Sequence, residues 1–159
     1  MSEQSTALDR TDRRILGLLQ QDGRMTNLAL AEAVHLSPTA TLERVRRLTA
    51  AGFILGYRAR LNPELLGAGM LVFVEVLLDR TTPHILEEFK QAVQDRPEIM
   101  ECHLVAGGFD YLIKVRAADM SDYRDLAGRV LWGLPGVRET RTYAVMEEVK
   151  NSPDIHLGL

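Results

Sequence analysis

LALAEAVHLSPTATLERVRRL, residues 28–48, decides the fold of the first half of the chain. It predicts two short helices joined at a tight corner. The first runs from about Asn27 to Val34, with Leu28, Leu30, Ala31 and Val34 available for packing, and Val34-His35-Leu36-Ser37 makes the turn. Ser37 is suited to cap the free amides of the next helix, and Pro38 takes its first position, where a missing amide costs nothing. On the wheel of that second helix, Leu42, Val45, Leu48 and Thr49 share the side expected to face the other helices. Thr39, Ala40, Glu43, Arg44 and Arg47 share the opposite side, with Arg46 on a flank. An outer face that is small and polar at its start and basic further on fits the major groove of duplex DNA. The early residues would meet base edges, the arginines guanine or phosphate. The candidate DNA-contact set is Ser37, Thr39, Ala40, Thr41, Glu43, Arg44, Arg46 and Arg47, with Arg44 and Arg47 expected to contribute most. An ordinary three-helix bundle with a solvated basic face has the same local pattern.

Upstream, a further helix is expected to start at Asp9, which can cap it, with Asp12 where the helix dipole favours an anion. Leu8, Ile15, Leu18 and Leu19 form its apolar stripe, and Gly23 is expected to end it as a left-handed cap. Downstream, Gly52-Phe53-Ile54 turns into an extended segment, Leu55 to Leu61, the expected place for a wing strand. NPELLGAG, residues 62–69, reads as a linker. Charge separates the two sides of that linker. Residues 1–62 carry nine arginines, no lysine and six acids, whereas residues 63–159 carry ten bases and sixteen acids. A basic part joined to an acidic part suggests that only the first meets a polyanion.

The second half alternates strands and helices. Met70–Leu78 is a nearly continuous apolar strand, Pro83–Val93 a helix, Ile99–Val105 and Phe109–Ala117 strands, Met120–Trp132 a helix and Thr140–Val149 the last strand. An internal repeat agrees: Pro97-Glu98-Ile99-Met100-Glu101 parallels Pro135-Gly136-Val137-Arg138-Glu139, each joining a helix to a strand. Two βαβ halves make a βαββαβ, ferredoxin-like fold with helices on one face of the sheet. The first strand is apolar on both sides, so the other face is expected to be covered by a second copy of the chain. A dimer would also pair two recognition helices on a two-fold DNA site.

Composition narrows the chemistry. Apolar residues make up 46% of the 159 positions and charged residues 26%, as in a soluble globular protein of one domain or two small ones. No apolar run approaches the roughly 18 residues that span a bilayer, and the first residues show no secretory signal, so no membrane partner and a cytoplasmic, nucleoid-associated location are expected. The single cysteine, Cys102, excludes an internal disulfide and a cysteine-based metal site. Cys102 and His103 are strand neighbours that point to opposite faces, so they form no catalytic dyad. His35, His84, His103 and His156 lack metal-ligand spacing. Neither an enzyme nor a cofactor is expected. One loop invites a small ligand: Ala106-Gly107-Gly108-Phe109-Asp110 joins two central strands. Paired glycines let backbone amides approach a carboxylate, and Asp110 can hold an ammonium group, a combination that suits a free amino acid. A plain glycine turn with a solvated aspartate would look the same.

The stretches LDRTDRRIL, QQDGRMTNLALAEAV, LSPTATLERVRRL, GFILGY, ECHLVAGGFDYLIKVR, DMSDYR, LPGVRETRTY and VMEEVK run from Leu8 to Lys150. Together they resemble the Lrp/AsnC, or feast/famine, family of transcriptional regulators, its leucine-responsive members above all. The resemblance implies an α+β chain. A winged helix-turn-helix over residues 1–61 is joined by a hinge strand and the linker 62–69 to a ferredoxin-like domain over 70–159 that binds amino acids and oligomerises. It implies double-stranded DNA as a partner and homodimers assembling into octamers or larger particles. It implies L-leucine or another amino acid as effector, bound between dimers. The family's pocket positions fall on Leu104, Gly107, Gly108, Phe109, Asp110, Met120, Tyr143, Ala144 and Val145. Three positions depart from the family's usual residues. His35 replaces a turn glycine, Thr39-Ala40-Thr41 begins the recognition helix differently, and Ala144 stands where leucine-responsive members carry valine, which enlarges the pocket. The expected function is an amino-acid-responsive, sequence-specific regulator, activator or repressor. The rivals are an effector-independent, architectural DNA-wrapping protein and an amino-acid-sensing subunit that regulates an enzyme.

Overall fold

The computed structural model describes residues 7–158. They divide into two compact units. One holds the described residues up to Arg60 together with the tail from Lys150; the other is Leu61–Val149.

The first unit is three helices: α1 (Arg10–Gln21), α2 (Asn27–Val34) and α3 (Pro38–Ala50). Each begins on a side-chain cap that the local sequence supplies. Asp9 accepts from the Asp12 amide while Asp12 returns a bond to the Asp9 amide, a reciprocal capping box. Thr26 caps α2 and Ser37 caps α3. His35 closes α2 in the left-handed conformation at φ 57°, a costly backbone for a residue other than glycine. Its amide and that of Leu36 reach back to the last turn of α2, and this fixes the corner. The core is Ile15, Leu30, Val34 and Leu48, with Leu8, Leu18, Leu19 and Val45 packed around it.

Two expectations for this unit are corrected. α1 ends at Asp22 with φ −138°, and Gly23 is not left-handed. Its lack of a side chain serves a close approach instead: a Cβ there would stand 2.8 Å from the ring of Tyr57. The segment Leu55–Leu61 has no ladder partner among the described residues, so the expected wing strand is not formed there. An isolated extended segment has nothing to satisfy its amides except water. The tail returns to α1. The Gln20 side-chain amide both donates to the Ile155 carbonyl (3.0 Å) and accepts from its amide (2.8 Å), and Arg13 donates to the Leu157 carbonyl (2.9 Å).

The second unit runs β1 (Met70–Leu78), α4 (Pro83–Gln94), β2 (Ile99–Leu104), β3 (Tyr111–Ala117), α5 (Met120–Leu126) and β4 (Val137–Ala144). α5 continues into a π-helical turn, Ala127–Leu131. The sheet order is β2-β3-β1-β4 and every pairing is antiparallel. The last strand starts three residues earlier than expected, at Val137, and stops at Ala144. Alternation along β1 sends Val72, Val74, Val76 and Leu78 toward the helices, where they meet Phe89, Tyr123, Val130 and Leu131. Tyr111 stacks on Phe89 with ring centroids 4.2 Å apart. The other face is less apolar than β1 alone suggested. Phe73, Leu77 and Leu112 are half-buried there. They are interleaved with Lys114–Glu101 (2.8 Å) and the Glu139–Arg141–Glu75 array.

Candidate functional site

α3 is mounted by local chemistry. Ser37 Oγ accepts from the Ala40 amide at 3.2 Å, and Asn27 Nδ2 at the start of α2 donates to the Pro38 carbonyl at 2.8 Å. Thr39, Ala40, Glu43, Arg46 and Arg47 are exposed along its outer face. Ser37 is exposed too, with its hydroxyl oxygen occupied by the cap. Arg46 leans on Glu43 at 3.0 Å, an exposed pair that gives way easily to a phosphate.

Thr41 does not join this set. It is fully buried, and its hydroxyl donates to the Ser37 carbonyl at 3.0 Å. Threonine can be buried in a helix at little cost because its Oγ1 bonds back one turn. The inward stripe is Thr41, Val45 and Leu48, spaced at helical repeats, while Leu42 is 37% exposed rather than inward.

The two arginines singled out from the sequence are engaged with acids on α1. Arg44 Nη1 donates to Asp9 Oδ2 at 2.6 Å and to Asp12 Oδ1 at 2.8 Å. Arg47 Nη2 donates to both oxygens of Asp12, at 2.7 and 2.6 Å. Asp12 is 1% exposed; the side chains of Arg44 and Arg47 remain 30% and 58% exposed. The Asp12 amide, and next the Arg44 guanidinium, hold the Asp9 carboxyl below its ordinary pKa, with desolvation opposing. Asp9 and then Asp12 raise that of Arg44. In the sequence alone Asp12 is legible only as a helix-dipole anion. The signal that would have found the cluster is the matched spacing: acids three apart at the cap and first turn of one helix, arginines three apart on another.

In the second unit the loop after β2 is held by backbone bonds. The Val105 amide donates to the Asp110 carbonyl and the Asp110 amide to the Val76 carbonyl, both at 3.0 Å. One oxygen of the Asp110 carboxylate accepts from the Leu78 amide at 2.8 Å. Asp110 therefore anchors the loop to the end of β1 as well as offering charge. Gly107 and Gly108 are exposed, and a side chain at either would meet no atom within 4 Å.

Of the remaining positions, Leu104 lies beside this loop and the others lie at the opposite end of the sheet. Leu104 pairs with Tyr111, which pairs with Val76, so Leu104 and Gly107–Asp110 share one end. Tyr143 and Ala144 pair with Phe73 and Val72, and the Val145 amide donates to Leu71. Met120 begins α5 just after β3 ends opposite Met70, at that same far end. Along β1 the four residue steps from Val72 to Val76 span roughly 13 Å, and Leu104 lies three strands away from Tyr143, roughly another 14 Å across. One small amino acid cannot touch both groups in a single chain. Leu104, Met120 and Tyr143 are each at least half exposed.

No group of three potential ligands able to hold a metal occurs among the described residues. Burial pushes the Cys102 thiol up to about 11, so it is a poor nucleophile near neutral pH. No helix of the described residues is long and apolar enough to cross a membrane.

Comparison with known proteins follows this division. Residues 8–54 match the family model described as winged helix-turn-helix DNA-binding, and residues 71–155 match that of the Lrp/AsnC ligand binding domain. The chain is 60% identical over 145 residues to the leucine-responsive regulatory proteins of Klebsiella pneumoniae and of Escherichia coli strain K12, covering 91% of this chain and 88% of each relative. Among solved structures it is similar to a transcriptional regulator of Neisseria meningitidis in complex with L-Met. That match has a TM-score of 0.90 and 34% identity, covering 96% of this chain and 98% of that one. An AsnC family transcriptional regulator from Agrobacterium tumefaciens gives a TM-score of 0.89 at 29% identity, covering 94% and 97%.

Proposed function

The chain belongs to the Lrp/AsnC family of transcriptional regulators, and we propose that it is a member whose grip on DNA is set by an aliphatic or thioether amino acid, L-leucine or L-methionine. It is an amino-acid-responsive, sequence-specific DNA-binding regulator and not an enzyme. The observation that carries the DNA half is α3 itself. It is a capped helix fixed by a left-handed corner, with Thr39, Ala40, Glu43, Arg46 and Arg47 exposed along one face. Thr39, Ala40 and Glu43 face base edges in this reading, and Arg46 and Arg47 reach guanine or phosphate.

The effector half rests on the loop Gly107–Asp110. Its exposed glycine backbone suits a carboxylate, and the Asp110 carboxylate suits an ammonium. The two groups of pocket positions at opposite ends of the sheet support a site completed by a second copy. Leu104 and Gly107–Asp110 of one chain would face Met120 and Tyr143–Val145 of another. Exposed apolar side chains at Leu55, Leu61, Leu65, Met146 and Val149 support the same assembly into dimers and higher rings. A cytoplasmic setting follows from this function. Ala144 leaves space beside the ligand, which favours a longer side chain such as methionine's.

The test is calorimetric titration of the full chain with L-leucine, L-methionine and L-alanine, repeated on Asp110→Asn. Asparagine keeps an acceptor for the Leu78 amide and removes the charge. The expected result is saturable binding of leucine or methionine, weakened at least roughly tenfold in the variant, as loss of a charge-assisted bond requires. Equal binding by the variant would remove Asp110 from the site. Silence across all three amino acids would favour the effector-independent DNA-wrapping reading.

A further inference from the structure

The cluster behind α3 has an uneven distribution of burial. Asp12 is withdrawn from solvent, whereas its two cationic partners stay partly open to it. A carboxylate is withdrawn from water only where its bonds are made well, so this cluster has little freedom to rearrange. The bonding also leaves much of each arginine unused. Arg44 engages the acids through Nη1 alone and Arg47 through Nη2 alone. A guanidinium carries five N–H donors in a rigid, planar fork, so holding one nitrogen orients the others without consuming them.

We propose that Asp12 is a positioning residue for DNA recognition, holding Arg44 and Arg47 by one edge so that the other edge of each is presented to the duplex. The inference rests on the DNA-binding reading above. It has a geometric and an electrostatic consequence. Geometrically, α3 is locked to α1 through two side chains, Arg44 and Arg47, that also reach outward. Electrostatically, Asp9 and Asp12 balance Arg44 and Arg47, so the cluster carries no net charge. It then gains from DNA only where a correctly placed phosphate or base completes the unused forks. Affinity for arbitrary sequence, which follows net positive charge, is held down.

The experiment uses the full chain and two duplexes of equal length, one selected from a random pool by the wild-type protein and one scrambled. Affinities are measured across a salt series, with the fold of each variant checked by circular dichroism. Asp12→Asn keeps the shape of the side chain and removes its charge. The expected outcome is a folded variant whose preference for the selected duplex falls roughly tenfold, the scale of one lost bidentate contact. Its salt dependence on the scrambled duplex should steepen by up to about one in the log–log slope, because one cation is released from its acid. Asp12→Glu, which restores the charge, should recover part of the preference. A folded Asp12→Asn protein with the wild-type preference and slope would overturn the proposal, since a merely structural role moves stability alone. Should Asp12→Asn fail to fold, Asp9→Asn carries the test. Asparagine caps a helix as well as aspartate does, and the variant frees Arg44 from one acid. It should show the same two changes, and neither appearing would overturn the proposal. A wild-type chain that cannot tell the two duplexes apart would instead overturn the DNA-binding reading itself.

Discussion

Asp9 shares its carboxylate between a helix cap and a cation, and this gives the helical unit an acid-sensitive joint. Its pKa is lowered first by the Asp12 amide and next by the Arg44 guanidinium. A carboxylate with a depressed folded-state pKa stabilises the fold above its unfolded value, about 3.9, and loses that contribution as pH falls through the folded value. The expected outcome is that wild type is more stable than Asp9→Asn at neutral pH and that the gap closes below about pH 4. Thermal melts followed by helical circular dichroism at several pH values check this. A gap that stays constant down to pH 3 would mean that the ionised form of Asp9 contributes nothing. The side chain is half exposed, so the effect is screened by salt and belongs in low-ionic-strength buffer.

The turn from α5 into β4 depends on one glycine. Gly136 has φ +72°, and a Cβ there would stand 2.6 Å from Ile85 Cγ2 on α4. Its carbonyl accepts from the Asp79 amide at 2.9 Å, tying the end of β1 to the start of β4. Gly136→Ala must adopt an unfavourable backbone and displace a packed side chain at once. The expected loss is roughly 2–3 kcal/mol in urea unfolding, with α3 unaffected. A change below about 0.5 kcal/mol, the range of an ordinary surface substitution, would contradict this. Elements were legible where their signals are local. The caps at Asp9 and Ser37, Pro38 at the start of α3 and the bounds of α2 all follow from residues within one turn of each other. The βαββαβ order followed from periodicity in the same way. What was not legible was set by distant partners, Thr41 excepted. Gly23 makes room for Tyr57, 34 positions on. Thr41 is buried because its hydroxyl bonds inside its own helix, which apolarity alone does not reveal. The Leu55–Leu61 wing needs a partner strand that none of the described residues supplies. The acids that hold Arg44 and Arg47 come from α1, over thirty residues away.

In the whole molecule, a basic helical unit and an acidic sheet unit are joined twice. One junction is the linker around residues 61–69, and the other is the segment after β4 that leads to the tail on α1. Tyr143–Val145, the far half of the proposed pocket, immediately precedes that second junction. Occupation of the proposed pocket would reach α1 along the chain to the tail and its hydrogen bonds to Gln20 and Arg13, and α3 through Asp12. Coupling of this kind is a free energy shared between two sites, and it usually amounts to about 5- to 150-fold in affinity. The most direct measurement is anisotropy of a labelled, protein-selected duplex titrated with the full chain, alone and with saturating L-leucine or L-methionine. The predicted result is sequence-preferring binding whose midpoint moves at least about fivefold with one of the two amino acids. Tight binding that ignores both amino acids and shows no preference between selected and scrambled duplexes would contradict it, and would mark the chain as an architectural DNA-wrapping protein.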